Sequence, residues 1–109
     1  MKLFKIPLIN KHLILYIGKE EWETFVKSVK RHKGVIHDKT CPSKECGRAW
    51  GSWVWVYDPC NTNTVFHELS HFIDDVMDNV NSECGEFRAF ITAFVFEMVY
   101  NYLNKKYIK

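Results

Sequence analysis

The sequence predicts an α+β fold in which a small antiparallel or mixed sheet packs on three helices. Segments rich in β-branched and aromatic residues occur at 2–17 and 53–57, as expected of strands. Apolar residues recur with helical spacing in three further segments, 19–32, 62–79 and 83–105. A chain of 109 residues, of which 47% are hydrophobic, suits one domain that spans residues 1–109.

The N-terminal segment predicts two strands that can form a hairpin. Its apolar residues run from Lys2 to Ile17 and are interrupted around Asn10. The segment is not expected to be a signal peptide, because Pro7 and Asn10 break the apolar run and no small-residue cleavage site follows. We therefore expect a protein of the reducing cytoplasm, in which the cysteines are thiols.

The segment from Lys19 to His32 predicts the first helix, which Gly34 is expected to end. The apolar face of this helix consists of Trp22, Phe25, Val26 and Val29. Residues 35–51 are predicted to form a long polar connection. The strand from Trp53 to Tyr57 follows it and stops at an Asp-Pro pair.

Two helices complete the predicted fold. Thr62 or Thr64 is expected to cap a helix that runs to about Asn79. A turn at residues 81–82 then leads into a last helix from Glu83 to Lys105. Apolar residues cover most sides of this last helix, so we expect one part of it to face the sheet and another part to contact another chain.

Charge and hydropathy exclude two classes of partner. The formal net charge of +2 is too small to indicate nucleic-acid binding, and lysine and arginine form no dense run. No segment reaches the ~18 apolar residues that a membrane-spanning helix needs. We therefore expect neither a nucleic acid nor a membrane as partner; the expectation of a peptide or protein substrate comes from the catalytic motif instead.

The pattern that carries chemistry is H-E-x-x-H, formed by residues 67–71 on a predicted helix. Residues four apart share one helical face, so the imidazoles of His67 and His71 can reach the same ion. Glu68 is placed to accept a proton from a water bound to that ion. The pattern predicts a zinc-dependent hydrolase in which Glu68 is the general base.

A catalytic zinc site needs a third protein ligand, and no histidine follows His71, so a carboxylate is expected. Asp74 is better placed to hold the second nitrogen of a histidine than to bind the ion. On the last helix Glu86 is the favoured ligand, because a short turn would bring the first turn of that helix near His71. Glu83 and Glu97 are the alternatives.

The four cysteines allow a second interpretation. The spacing of Cys41 and Cys46 is compatible with zinc ligands, and Cys60 and Cys84 flank the predicted metal helix. A structural zinc held by all four is one hypothesis, and free thiols are the favoured one.

The order of these features resembles the gluzincin arrangement of zincin metallopeptidases, and more closely the small zincins encoded by phages. The matching residues are His67, Glu68, His71, Asp74, Glu86, Arg88, Ala89 and Phe90. The likeness is good over the second half of the chain and holds only in outline over the first half.

The resemblance implies that His67, His71 and Glu86 bind zinc. It also implies that Glu68 is the general base, and that Trp53–Tyr57 is an antiparallel edge strand beside the cleft. For a phage-encoded chain the expected location is the host cytoplasm or the virion. The last helix is the expected contact with a second copy or with a phage or host protein.

Two alternatives stay open at this stage. Trp50, Trp53 and Trp55 either line a groove for an extended substrate or fill the core of the sheet. The chain is either a peptidase or a protein without catalysis, in which zinc stabilises a phage structural component or a binder of a host factor. A purely structural zinc site has no need of a base, so Glu68 favours the enzyme.

Overall fold

The computed structural model describes residues 1–36, 40–80 and 84–108. In chain order the strands and helices are β1 (Lys2–Ile6), β2 (Lys11–Ile17), α1 (Trp22–Arg31), β3 (Gly47–Trp50), β4 (Trp53–Val56), α2 (Thr62–Asn79) and α3 (Gly85–Leu103). A π-helical turn, Asn104–Ile108, extends α3. The predicted α+β class, with a small sheet on three helices, is confirmed. The predicted turn at 81–82 and the predicted start of the last helix at Glu83 lie outside the described residues.

The four strands form one mixed sheet in the order β1-β2-β4-β3. The predicted N-terminal hairpin is present, because β1 and β2 pair antiparallel across a turn in which Asn10 is left-handed with φ 51°. Strand β4 pairs parallel with β2 and antiparallel with β3. The expectation that Trp53–Tyr57 is an edge strand is therefore wrong, and the edge on that side is β3.

Strand β3 lies inside the segment that was predicted to be a polar connection. Its four residues have no apolar alternation of their own, and pairing with β4 holds them extended. A two-residue turn joins the strands, and its first residue, Gly51, has φ 57°, a conformation that favours glycine. The sequence signal was the pair Gly51-Ser52 between two tryptophans.

The sheet separates two apolar clusters. On one face α1 packs on Tyr16 of β2 and on Trp55 of β4, and Trp55 is 0% exposed. The interpretation of Trp55 as a core residue is thus confirmed, while Trp50 is 38% exposed on the same face. On the other face α2 and α3 cover a cluster whose strand residues are Phe4, Ile6, Leu13, Leu15, Ile17, Val54 and Val56.

Two helix ends differ from the expected ones. Asn61, rather than Thr62 or Thr64, caps α2, and its side-chain oxygen accepts from the Thr64 N–H at 3.3 Å. The left-handed residue after α1 is Lys33, with φ 67°, and the Gly34 N–H donates to the Val29 carbonyl at 2.9 Å. The Lys33 N–H also donates to the Lys30 carbonyl at 3.1 Å, and these two bonds at the end of α1 form a Schellman motif whose left-handed residue precedes the glycine.

Helix α3 divides its apolar residues between three surroundings. Its sheet-facing residues, Ile91, Val95, Val99 and Leu103, are buried. Phe96 stacks on Phe66 of α2, with ring centroids 4.7 Å apart. Phe90, Phe94 and Tyr100 stay exposed, so contact of this face with another chain remains a prediction. Within the described ranges, neither α3 nor another helix is long and apolar enough to cross a membrane.

Candidate metal centre

Helix α2 presents two histidines side by side on its solvent face. His67 and His71 are both exposed, and their Nε2 atoms lie 3.3 Å apart. The ring centroids are 4.9 Å apart and the rings are almost perpendicular, at 85°. The two Nε2 atoms therefore point toward each other, and the N–H of one ring donates a hydrogen bond to the Nε2 atom of the other.

The separation of the two nitrogens fits a zinc ion. Two nitrogens bound at ~2.0–2.1 Å to one tetrahedral ion lie about 3.3–3.4 Å apart. The observed Nε2–Nε2 distance of 3.3 Å already has this value. Imidazole nitrogen is also a preferred zinc ligand, so the pair suits the metal in chemistry as well as in spacing.

Glu68 lies against the edge strand rather than in solvent. Its side chain is only 7% exposed, although His67 and His71 on the same helix are exposed. A Cβ atom added to Gly47 would lie 2.5 Å from Glu68 Cγ and 3.0 Å from the Trp55 carbonyl oxygen. Only a glycine at the start of β3 leaves room for Glu68 to pass between helix and strand.

Burial and the neighbouring charges act in opposite directions on the carboxyl group of Glu68. Burial raises its pKa, and the positive charges of His67, His71 and Arg48 oppose that rise. No group of the described part of the chain donates a hydrogen bond to this carboxylate. Its acceptor capacity is therefore available to a water or a substrate.

An open depression runs beside the histidines. It is lined by Glu45, Asn63, Thr64, His67 and Glu68. The Thr64 hydroxyl donates to the Glu45 carbonyl oxygen at 2.8 Å, which fixes the segment before β3 to the first turn of α2. Glu45, Gly47 and Arg48 surround the site but carry no signal in the H-E-x-x-H pattern, so sequence reasoning missed them.

The third ligand is the part of the predicted site that the structure does not assemble. Among the described residues, no group of three or more histidine, cysteine or acidic side chains is arranged to hold a metal ion. Glu86 is exposed in the first turn of α3 and Glu97 is exposed further along that helix. Glu83 lies outside the described residues.

The register of α2 against α3 explains the position of Glu86. The Phe66–Phe96 stack and the Asp74–Arg88 ion pair join the two antiparallel helices at two levels. The same register puts Glu86 level with the end of α2, roughly 7 Å along the axis from His71. The expectation that a short turn brings Glu86 near His71 is thus not met in this arrangement.

Asp74 also has another partner than expected. Its carboxylate pairs with the guanidinium of Arg88 on α3, and both side chains are about half exposed. It therefore ties the two helices together, rather than holding the second nitrogen of a histidine. Arg88 was a matching residue of the resemblance, and the structure gives it this contact.

All four cysteines are thiols, in line with the favoured hypothesis. Three of them contact different oxygen atoms, with Cys41 near the Pro42 carbonyl, Cys46 3.3 Å from the Ser43 hydroxyl and Cys60 near the Tyr107 carbonyl. The Ser43 hydroxyl lowers the pKa of the Cys46 thiol, and Arg48 lowers it further. Burial raises the pKa of the Cys41 thiol.

Comparison with known proteins adds no relative to this picture. No family model, curated protein or solved structure matches the chain. The function must therefore be argued from the chemistry of the site.

Proposed function

We propose that this chain is a zinc-dependent peptide hydrolase in which His67 and His71 bind the metal and Glu68 is the general base. One observation carries the proposal. The two Nε2 atoms converge at 3.3 Å next to a carboxylate that is 7% exposed and receives no hydrogen bond from the described residues. A structural zinc site gains nothing from such a base, whereas a hydrolase requires one.

A zinc ion held by the two histidines would supply Lewis acidity toward a carbonyl group and lower the pKa of a water. Glu68 takes the proton of the attacking water and passes it to the leaving amine. In the metal-free chain burial raises the pKa of Glu68, and a general base is most effective when its pKa lies near the operating pH. Gly47 and the first turn of α2 hold the carboxylate in place for them.

Strand β3 offers a way to hold an extended substrate. The Tyr57 N–H donates to the Cys46 carbonyl at 3.2 Å, so Cys46 and Arg48 direct their main-chain groups toward β4. Gly47 and Ala49 then direct theirs outward, along the free edge. A peptide that pairs with this edge passes Glu68, and main-chain hydrogen bonds supply part of its affinity.

The third metal ligand is proposed from two candidates. Glu86 remains the candidate that the resemblance favours, and it would bind only after the first turn of α3 moves toward His71. Glu45 is the second candidate, because it lines the same depression as His67. Carboxylate oxygen suits zinc in both cases.

A second function stays open because two ligands alone are in place within the described residues. In that case zinc would stabilise a phage structural protein or a binder of a host factor, with the exposed face of α3 as the contact surface. A location in the host cytoplasm, or in a virion, belongs to either proposal.

The test is the substitution Glu68→Gln, which keeps the size of the side chain and removes its basicity. Both histidines are unchanged, so the variant and the wild type should each carry about one zinc per chain. Hydrolysis of a mixed peptide library, followed by mass spectrometry, should fall by ~10²–10⁴-fold. The exposed Glu23→Gln on α1 serves as the matched control and should keep full activity.

The result that would contradict the proposal is full hydrolysis by the zinc-loaded Glu68→Gln protein. A wild-type chain that binds zinc and cleaves no peptide would instead favour the non-catalytic alternative. A chain that carries no zinc after expression in zinc-rich medium would remove both.

A further inference from the structure

Arg48 is a cation held at the edge strand beside the candidate centre. Its Nη1 donates to the Gly47 carbonyl oxygen at 2.7 Å, and Gly47 in turn lies against Glu68. The Arg48 side chain is exposed, and its charge reaches the carboxylate of Glu68. The guanidinium therefore sits within electrostatic range of the proposed base, on the solvent side of β3.

The position of the guanidinium coincides with the place where an extended substrate would pair. The carbonyl of Gly47 points outward from the β3 edge, by the alternation of the β3–β4 ladder, and accepts the hydrogen bond of Arg48 there. Arg48 contacts that carbonyl, so a chain laid along the edge also contacts Arg48. Within β3, Arg48 is the long polar side chain next to the Gly47 carbonyl, because Ala49 is small and Trp50 lies at the far end of the strand.

Most of the hydrogen-bonding capacity of Arg48 is unused. A guanidinium has five N–H donors in a planar fork; one of them contacts the Gly47 carbonyl, and the side chain also hydrogen-bonds the Cys46 thiol. The ion pairs within the described part of the chain are Met1–Glu21 and Asp74–Arg88, so no carboxylate of those residues lies in direct ion-pair contact with Arg48. A fork with donors still available is suited to bind a carboxylate with two parallel hydrogen bonds.

Arg48 carries a charge opposite to that of the acidic residues that line the neighbouring depression. Glu45 and Glu68 both line the depression beside the histidines and are acidic. A substrate with a negative group would be repelled along the depression and attracted at the β3 edge. Its orientation across the site would follow from that difference.

We propose that Arg48 determines specificity by binding a carboxylate of the substrate next to the cleaved bond. The inference rests on the proposed peptidase function, and it adds the class of substrate: an acidic peptide. The carboxylate has two sources, an aspartate or glutamate side chain or the free C-terminus of the peptide. Arg48 acts on binding and orientation, and takes no part in proton transfer.

The experiment measures peptide binding without turnover, in zinc-loaded Glu68→Gln protein. The probes are fluorescent octapeptide libraries in which one position is fixed as Glu, Gln or Lys, each made with a free or an amidated C-terminus. Arg48→Gln and Arg48→Lys are added to this background. Arg31→Gln on α1 is the matched control, because it removes the same charge from an exposed residue whose charge does not act on Glu68.

We expect the library with Glu at one position, or the library with a free C-terminus, to bind about tenfold tighter than its neutral counterpart. Arg48→Gln should abolish this preference, Arg48→Lys should retain part of it, and Arg31→Gln should leave it unchanged. The fixed-position and C-terminal arms tell the two sources of carboxylate apart.

Equal binding of all libraries would overturn the inference, and so would a preference that survives Arg48→Gln. The two proposals can fail separately. If wild-type protein cleaves peptides with no acidic preference, only the role of Arg48 is lost. If acidic peptides bind through Arg48 and the wild type leaves them intact, the peptidase is lost and the acidic-peptide site stands.

Discussion

The contact between Gly47 and Glu68 shows how a single missing side chain can shape a site. Glu68 follows the exposed His67 in α2, yet its own side chain is buried against β3. The cost of burying the carboxylate appears as its raised pKa. The position of the carboxylate is thus fixed by packing rather than by a hydrogen bond.

The first residue-scale prediction concerns Gly47→Ala. The added methyl group would lie 2.5 Å from Glu68 Cγ, so helix and strand must separate. We expect a loss of about 1–3 kcal/mol in the free energy of unfolding by urea, together with weaker zinc binding. Gly85→Ala is the matched control, because no atom lies within 4 Å of its added Cβ and alanine favours the helix. Equal stability of the two variants would show that the space beside Gly47 is not needed.

The second concerns the pH dependence of the metal-free protein. The pKa of Glu68 is raised in the folded state, so the folded protein prefers the protonated carboxyl. Its stability contribution is complete below the unfolded pKa, near 4.3, and is lost as the pH rises through the folded value. In urea titrations with a chelator, the free energy of unfolding of Glu68→Gln should rise relative to that of the wild type as the pH increases from 4 to 8. A difference that stays constant over this range would contradict the raised pKa. Glu97→Gln controls for the loss of one carboxylate.

At the same scale, spacing was enough to predict that His67 and His71 meet on one face of α2. Residues four apart in one helix lie on the same face, so the helix alone brings His67 and His71 together. The contacts of Glu68 with Gly47 and Arg48 could not be predicted, because they cross from α2 to a strand about twenty residues earlier. Spacing along a chain carries no information about which strand a helix packs on.

At the scale of elements, the packing of α2 on α3 decides which carboxylate can complete the metal site. Sequence reasoning assumed that a short turn places the facing residues of two helices together. The Phe66–Phe96 stack fixes a register in which buried residues of α3, Ile91 and Val95, lie opposite the histidines. The exposed carboxylates of α3 point elsewhere. Loop length alone could not predict this register, since it follows from how the side chains interlock.

The prediction at this scale compares the two candidate ligands. Glu86→Gln and Glu45→Gln each replace a carboxylate by an amide, which is a poor zinc ligand. The variant that loses the true ligand should bind zinc at least ~10-fold more weakly in a competition titration with a chelator. The other variant should match the wild type, and Glu97→Gln should do so in either case. Unchanged affinity in both variants would assign the third position to a residue outside this pair.

The strands were predictable to different degrees for a related reason. The hairpin of β1 and β2 and the strand β4 are rich in β-branched and aromatic residues, which identify them without tertiary information. Strand β3 has the sequence Gly-Arg-Ala-Trp and owes its shape to pairing with β4. The resemblance then assigned the edge position to Trp53–Tyr57, because β3 was not recognised as the strand outside it.

At the scale of the molecule, the sheet separates two clusters of apolar side chains. The face toward α1 holds the aromatic cluster around Trp22 and Trp55, whose ring centroids are 4.7 Å apart. The face toward α2 and α3 holds the aliphatic cluster, at whose border the histidine pair lies. The α+β class followed from the order of periodic segments, but this division did not, because the partners of each face depend on the topology.

The order of the strands also has a consequence for how the chain reaches this shape. Each antiparallel pair closes a short turn, and such hairpins form within about 1–10 μs. The parallel pair in the middle joins Leu15 to Val54, with all of α1 between them in the chain. Closing that long loop costs conformational entropy before the burial of apolar side chains can offset the cost, so contacts of this kind slow folding. The two hairpins are thus expected to form early, and the slow step is their union along the centre of the sheet.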